Sequence, residues 1–282
     1  LVTPLQARAV ILARGKTRAV ILSLESCGTP PPLAGRIRAA VAACVRGVQA
    51  EDVFVSSTHT HSAPAVGGMF GWGEADPLYL ETLPARAAEA AARAAANVRD
   101  VEWRQAEVPC EGIAVNRETD TGFAMNENFA ERMKPSWRPA KPEHTDPRVR
   151  VLAAYAEGKL VGVLHHFGCH PVVYGEKTAA LHGDYAGMAC LRLEAVHAGA
   201  VAIFLPGALG DINPKLNHRV PAESRRALRA IAQQYAAAVE RGIKAASPLA
   251  NDELGVKARE VSLTRAPWTR AKVAARIAEL ET

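Results

Sequence analysis

Two short stretches hold six of the nine histidines of this chain: His59 and His61 in one, His165, His166, His170 and His182 in the other. The first reads Thr58-His59-Thr60-His61-Ser62-Ala63-Pro64, directly after an apolar run that predicts a buried strand over 53–57. Residues two apart in extended chain face the same way, so His59 and His61 can converge on one point. Neutral imidazoles delivered in this way form half of a zinc site; the alternative is a pair of hydrogen-bonding histidines in a polar loop. The second stretch runs His165-His166-Phe167-Gly168-Cys169-His170-Pro171 and continues to His182-Gly183-Asp184. His165 and His166 alternate faces on a strand, so at most one can join a site, and His170 at the strand end is the better ligand candidate. Asp184 is either a site carboxylate or the N-cap of the helix that opens at Tyr185. Cys169 is either a thiolate or a core residue, and no nearby feature lowers its pKa.

Two further polar loops follow predicted strands. Val115-Asn116-Arg117 places a permanently charged guanidinium in a loop. The run Gly207-Ala208-Leu209-Gly210-Asp211-Ile212-Asn213-Pro214 is rich in turn residues. There Gly210 and Asp211 could let backbone donors approach a ligand, or could form a plain turn.

The elements that must position these loops alternate in type. Apolar runs over 8–12 and 18–25 predict paired strands across a turn at 14–16, and helical spacing follows over 33–48. A helix over 76–96, a strand over 101–108 and a hairpin turning at Glu157–Gly158 come next. The pattern ends with a helix over 185–197, a strand over 201–207, a helix over 223–246, a strand over 255–264 and a helix from Thr269. The stretch 118–147 carries four prolines and no period, as functional or disordered loops do. This alternation with hairpins predicts an α/β fold with mixed sheets and flanking helices.

Composition narrows the function classes. Of 282 residues 49% are hydrophobic, 22% charged and 5% aromatic, so a core forms without staples. The net charge of +5 is scattered, and the densest basic group, Arg225, Arg226 and Arg229, reads as a solvated helix face. No nucleic-acid partner is expected from such a pattern. No apolar run is long enough for a transmembrane segment and no signal-peptide pattern opens the chain, which begins at Leu1 and reads as cut at both ends. The five cysteines lack a CxxC pair and read as small buried hydrophobes. Compartment and oligomeric state leave no mark in the sequence.

Together, THTHSAP, VNR, CHP with HGDYAGMA, and GDINPKLN resemble, in order and spacing, the motifs of the neutral ceramidase family. The resemblance covers nearly all of the chain and implies one N-terminal catalytic domain over 1–282, partial at both ends. It implies a zinc cofactor, with His59 and His170 as metal ligands and a metal-activated water attacking a linear N-acyl amide, ceramide-like or related. His61 and Arg117 would bind and polarise that amide, beside Gly210 and Asp211 on the substrate loop. Asn213 stands where ceramidases carry a serine important to activity, and the family's other ligands, a glutamate and a tyrosine, are expected beyond residue 282. Two other readings are a non-catalytic metal- or ligand-binding domain of this fold and a barrel-type metallohydrolase, whose signature also opens with HxH.

Overall fold

The computed structural model describes residues 3–68, 73–118, 128–175, 179–250, 253–264 and 269–280. In chain order the elements are β1 (Ala7–Arg14), β2 (Thr17–Leu24), α1 (Pro31–Cys44), β3 (Val53–Ser57), α2 (Pro77–Ala95), β4 (Glu102–Pro109), β5 (Ala114–Asn116) and α3 (Phe129–Arg132). They continue with β6 (Arg148–Ala156), β7 (Lys159–Phe167), α4 (Asp184–Val196), β8 (Val201–Pro206), β9 (Ile212–Pro214), α5 (Pro221–Ala245), β10 (Ser247–Pro248) and α6 (Arg270–Leu280). Proline opens α1, α2 and α5, where its missing N–H costs nothing, and the Asp76 carboxylate caps α2 by accepting from Leu78 and Tyr79.

The strands form three sheets, ordered β1-β2-β3, β10-β4-β6-β7-β8 and β5-β9. Most neighbours are antiparallel. Two pairs are parallel, β2 with β3 and β7 with β8, crossed over by α1 and α4 respectively. The β6–β7 hairpin turns where expected, with Glu157 at φ 50° and Gly158 at φ 74°. Two successive left-handed residues match the type I′ turn that the strand twist favours. This mixed α/β architecture is the one expected, and its short, largely antiparallel sheets differ from a closed barrel of eight parallel strands.

One apolar core fills the space between the large sheet and helices α4 and α5, around Phe167, Phe204, Tyr185, Tyr235 and Ile231. The other lies between the β1–β3 sheet and helices α1 and α2, around Leu22, Ile37, Val41 and Val53. A buried ion pair ties the two halves. Arg8 on β1 donates to Glu25 just past β2 at 2.7 Å and to Glu194 on α4 at 2.9 Å, with Arg8 and Glu25 both under a tenth exposed. Gly183 and Gly187 sit against the Glu25 carboxylate, and a Cβ at either would collide with it. No helix among the described residues is long and apolar enough to cross a membrane.

Two expectations change. Residues 253–264 form no strand: Val261 and Leu263 are exposed, and among the described residues no neighbouring strand pairs with this segment. An alternating pattern becomes a strand only where a sheet edge receives its N–H and C=O groups. The aperiodic stretch is shorter than the prolines suggested, since α3 and a 3₁₀ turn over Pro142–His144 occupy part of it. Residues 119–127 of that stretch lie outside the described residues.

Two stability experiments follow. Arg8→Met leaves Glu25 buried without its counter-charge, so chemical denaturation should register a loss of about 3–5 kcal/mol. His165 is fully buried between the Tyr235 hydroxyl at 2.8 Å and Cys190 Sγ at 3.4 Å, and burial, with the Arg8 charge adding, pushes its pKa from 6.5 down to about 3. An unfolded chain therefore takes up this proton near 6.5 while the fold refuses it until about 3. The histidine's contribution is intact above 6.5 and is lost progressively as pH falls through that window. Urea midpoints should drop more steeply over that range in the wild type than in His165→Asn.

Candidate metal centre

The two parallel strand pairs carry the candidate site at their C-terminal ends, where parallel strands leave loops side by side. Leu24 lies opposite Ser57 in the β2–β3 ladder, so Cys27 and His59 emerge at the same edge. The pairing continues past the strands: Thr58 N–H donates to the Leu24 carbonyl at 2.8 Å and His59 N–H to the Ser26 carbonyl at 2.9 Å. His59 adopts φ 68°, a left-handed conformation that costs a side-chain-bearing residue about 1–2 kcal/mol. Its ring Nδ1 hydrogen-bonds the Cys27 carbonyl, which can only accept. That partner fixes the proton on Nδ1 and leaves Nε2 bare.

His170 is set in the same manner from the other sheet. Its backbone N–H donates to the Ile212 carbonyl at 2.9 Å, and its Nδ1 reaches that same carbonyl at 3.1 Å. The three rings lie together, though His59 is left-handed at φ 68° and not in the extended chain the spacing argument assumed. Ring centres lie 5.1 Å apart for His59–His61, 4.9 Å for His59–His170 and 5.8 Å for His61–His170. Burial lowers the pKa of all three; for His61 the value falls to about 4, with the charges of His59, His170, His218 and Arg117 adding to desolvation. The cluster is therefore neutral near pH 7, the state in which imidazole binds metal.

The group of donor atoms that lie together shares only His59 with the ligand pair, His59 and His170, that the resemblance implies. Ligand atoms of Cys27, His59 and His61 all lie within 4.8 Å of one another, while His170 faces them across the ring distances above. Cys27 is half-buried, and desolvation pushes its thiol up to about 11.

The strand pair β5–β9 joins the remaining loops. Val115 lies opposite Asn213, and Arg117 N–H donates to the Asp211 carbonyl at 2.8 Å. Arg117 stands near enough for its charge to depress His61 and His170, and its guanidinium is partly exposed. The Asp211 carboxylate is held by Asn116 Nδ2 at 2.8 Å, while Gly210 has open space where a side chain would go. Asn213 is 1% exposed, and neither its amide oxygen nor its amide nitrogen has a hydrogen-bond partner among the described residues.

Other histidines and the acid of the second stretch take different roles. His165 belongs to the core, and His166 packs against Gly207 away from the cluster. Cys169 is fully buried, its thiol pushed well up by desolvation. Asp184 is the first residue of α4 rather than its N-cap, which is Gly183. Its buried carboxylate accepts from the N–H groups of Val173, Tyr174 and Tyr185 and so shapes the loop after His170. His182 links the two histidine stretches: its N–H donates to the Ser62 carbonyl, its own carbonyl accepts from Thr60 Oγ1, and its ring stands edge-on to Tyr174 at 4.5 Å.

Cys27, His218 and Asn116 were not singled out from sequence. Cys27 carries a signal, since it lies just beyond a strand end, but only the parallel β2–β3 pairing converts that position into proximity to His59. A cavity of about 720 Å³ lies between β1, α2 and the large sheet and shares no residue with the histidine cluster.

No family profile and no curated protein matches the sequence. Among solved structures, the neutral ceramidase from Pseudomonas aeruginosa matches 85% of this chain with a TM-score of 0.68 at 21% identity. A ceramidase complexed with C2 matches 85% with a TM-score of 0.69 at 19% identity. The chain spans 39% and 38% of those two proteins. At these identities the likeness shows a shared fold.

The Asn116–Asp211 bond is the brace of the β5–β9 pair. Asn116→Ala should cost about 0.5–1.5 kcal/mol by removing its hydrogen bond to the exposed Asp211 carboxylate. Hydrogen exchange should quicken at residues 114–117 and 212–214, while the β6–β7 hairpin stays protected.

Proposed function

We propose that this chain carries the metal-binding half of a zinc-dependent amide hydrolase acting on a linear N-acyl substrate, ceramide-like or related. One observation carries the reading: His59 and His61 from one loop and His170 from another converge as neutral rings, two of them with Nδ1 tied to a backbone carbonyl. Zinc-ligating histidines are oriented by that kind of outer partner, so the residues fit the ion. His59 and His170 would hold it through Nε2, and the fold shared with ceramidases supports the assignment.

When bound there, zinc supplies Lewis-acid chemistry, polarising a carbonyl and acidifying a water. The chain's own residues supply the rest. His61, kept neutral, is able to accept or donate one hydrogen bond at the scissile amide. Arg117 keeps its charge at all working pH values and stabilises negative charge developing on the carbonyl oxygen. Asn213 brings a buried amide that can donate one hydrogen bond, and Gly210 with the backbone of Asp211 leaves room for substrate beside it. No lipid-docking aromatic surface is required for such an amide; specificity would reside in the loops.

A second reading has its own observation. Asn213 cannot replace a serine hydroxyl in proton transfer, which favours a domain that binds metal or ligand without hydrolysis.

Steady-state kinetics on a panel of N-acyl substrates, with zinc supplied, separates the two. Asn213→Ala should lower turnover about tenfold to a thousandfold, the effect of one transition-state donor. His59→Ala should abolish both zinc retention and turnover. Zinc binding with no hydrolysis of any N-acyl substrate would sink the hydrolase reading in favour of the binding domain.

A further inference from the structure

We infer that the recess at the N-terminal end of α5 is a phosphate subsite, in which Arg225, Arg226, Arg229 and Tyr174 receive the phosphate monoester of an N-acyl amide whose scissile bond lies at the histidines. The inference rests on the hydrolase reading above and deepens it by naming the substrate class.

Unpaired charge is the first argument. The recess, about 430 Å³, lies between α5 and the end of α3 and is lined by Met133, Ala222, Gln233 and the three arginines. Among the described residues, none of these three guanidiniums has a carboxylate partner. The acids on the two helices are taken, Glu223 by Arg219 at 2.6 Å and Glu131 by Lys134. Arg226 lies instead over the Phe129 ring at 5.8 Å. Val220 gives α5 no side-chain cap, so the free N–H groups and positive dipole end of a 25-residue helix add to the same charge.

A buried orphan is the second argument. Tyr174 is 3% exposed, and its hydroxyl has no hydrogen-bond partner among the described residues. Arg225 and Arg229 stand near enough for their charges to act on that hydroxyl. Asp184, the acid that also acts on it, is buried and held by backbone N–H groups. A phosphate monoester brings a charge of about −1.5 to −2 and three acceptor oxygens. Three guanidiniums and a hydroxyl match that set better than they match the two oxygens of a carboxylate.

Continuity with the histidines is the third argument. The Tyr174 ring stands edge-on to His182 at 4.5 Å, and the backbone of His182 bonds Thr60 and Ser62 on either side of His61. His218, in the connection from β9 to α5, packs so closely on Gly175 that a Cβ there would collide with its ring, and its charge acts on His61. The loop after His170 and the connection into α5 thus join the cluster to the recess.

Calorimetry with N-octanoyl-phosphoethanolamine and N-octanoylethanolamine, which differ only in the phosphate, tests the subsite. Wild type should bind the phosphorylated amide at least about tenfold more tightly, the effect of one charge-assisted hydrogen bond. Arg225→Gln combined with Arg229→Gln should bring its affinity down to that of the neutral amide, whereas Arg36→Gln, at an exposed position on α1, should change nothing. Tyr174→Phe should weaken the phosphorylated amide about tenfold without lowering Tm, because the hydroxyl it removes has no partner among the described residues. Equal affinity for the two amides, a preference that survives the double substitution, or inorganic phosphate binding as tightly as the phosphorylated amide overturns the inference. With zinc supplied, kcat/KM should favour the phosphorylated amide; equal efficiency on both overturns the substrate class and leaves the hydrolase standing. Phosphate-dependent binding with no hydrolysis of either amide sinks the hydrolase reading and the substrate role with it, leaving the recess as a phosphate-binding site.

Discussion

Two backbone carbonyls govern the site, those of Cys27 and Ile212. Each accepts from the Nδ1 of a histidine carried on a different loop, and each lies on backbone that a β-ladder holds in place. An imidazole on a free loop turns about two side-chain bonds; one tied at Nδ1 has a set tautomer and a set direction for Nε2. The left-handed backbone of His59 belongs to the same constraint. A conformation costing about 1–2 kcal/mol persists because the surrounding hydrogen bonds over-determine it. The convergence of three neutral rings is thus a property of strand ends and their ladders, not of the histidines alone.

Acidic groups in this fold serve the scaffold. Glu25 and Glu194 neutralise Arg8 across β1, β2 and α4; Asp211 braces β5 against β9; Asp184 gathers the N–H groups that follow His170. Each stands close to the site in sequence, and none is free to enter it. Among the described residues, the groups gathered at the cluster are neutral imidazoles, the Cys27 thiol, the Asn213 amide and the Arg117 guanidinium. That division explains why the histidines stay uncharged: with no carboxylate among them, desolvation and mutual repulsion both oppose protonation.

Legibility in the sequence followed the range of the interaction. The His59–His61 pair was marked by local spacing, although His59 turns left-handed at φ 68° instead of continuing the strand; the Glu157–Gly158 turn was readable because it needs only two left-handed residues. His170 was separable from His165 and His166 because strand alternation and the proline after it act over a few residues. The juxtaposition of Val115 with Asn213 spans about a hundred positions and leaves no local mark; motif order suggested it only through the resemblance. Cys27 stayed hidden because a half-buried cysteine after a strand looks the same whether its neighbour is parallel or antiparallel. The 255–264 segment shows the converse failure, a local pattern of the right kind with no neighbouring edge to pair with.

Asn213 brings these strands of argument to one residue. A buried amide with neither end satisfied is costly in a finished core, on the order of 1–3 kcal/mol for each group left without a partner. An apolar residue of similar size would fill the same place in a purely structural β9. The amide is tolerated on a strand whose neighbour, Ile212, orients His170 and whose partner strand leads into Arg117. A buried donor and acceptor near His170 and Arg117 would match the two faces of the proposed amide substrate, its carbonyl oxygen and its N–H. A serine at that point offers a proton to move; asparagine offers complementarity without one. In the proposed hydrolase, Asn213 would therefore hold the amide in place and leave the chemical step to the metal and Arg117.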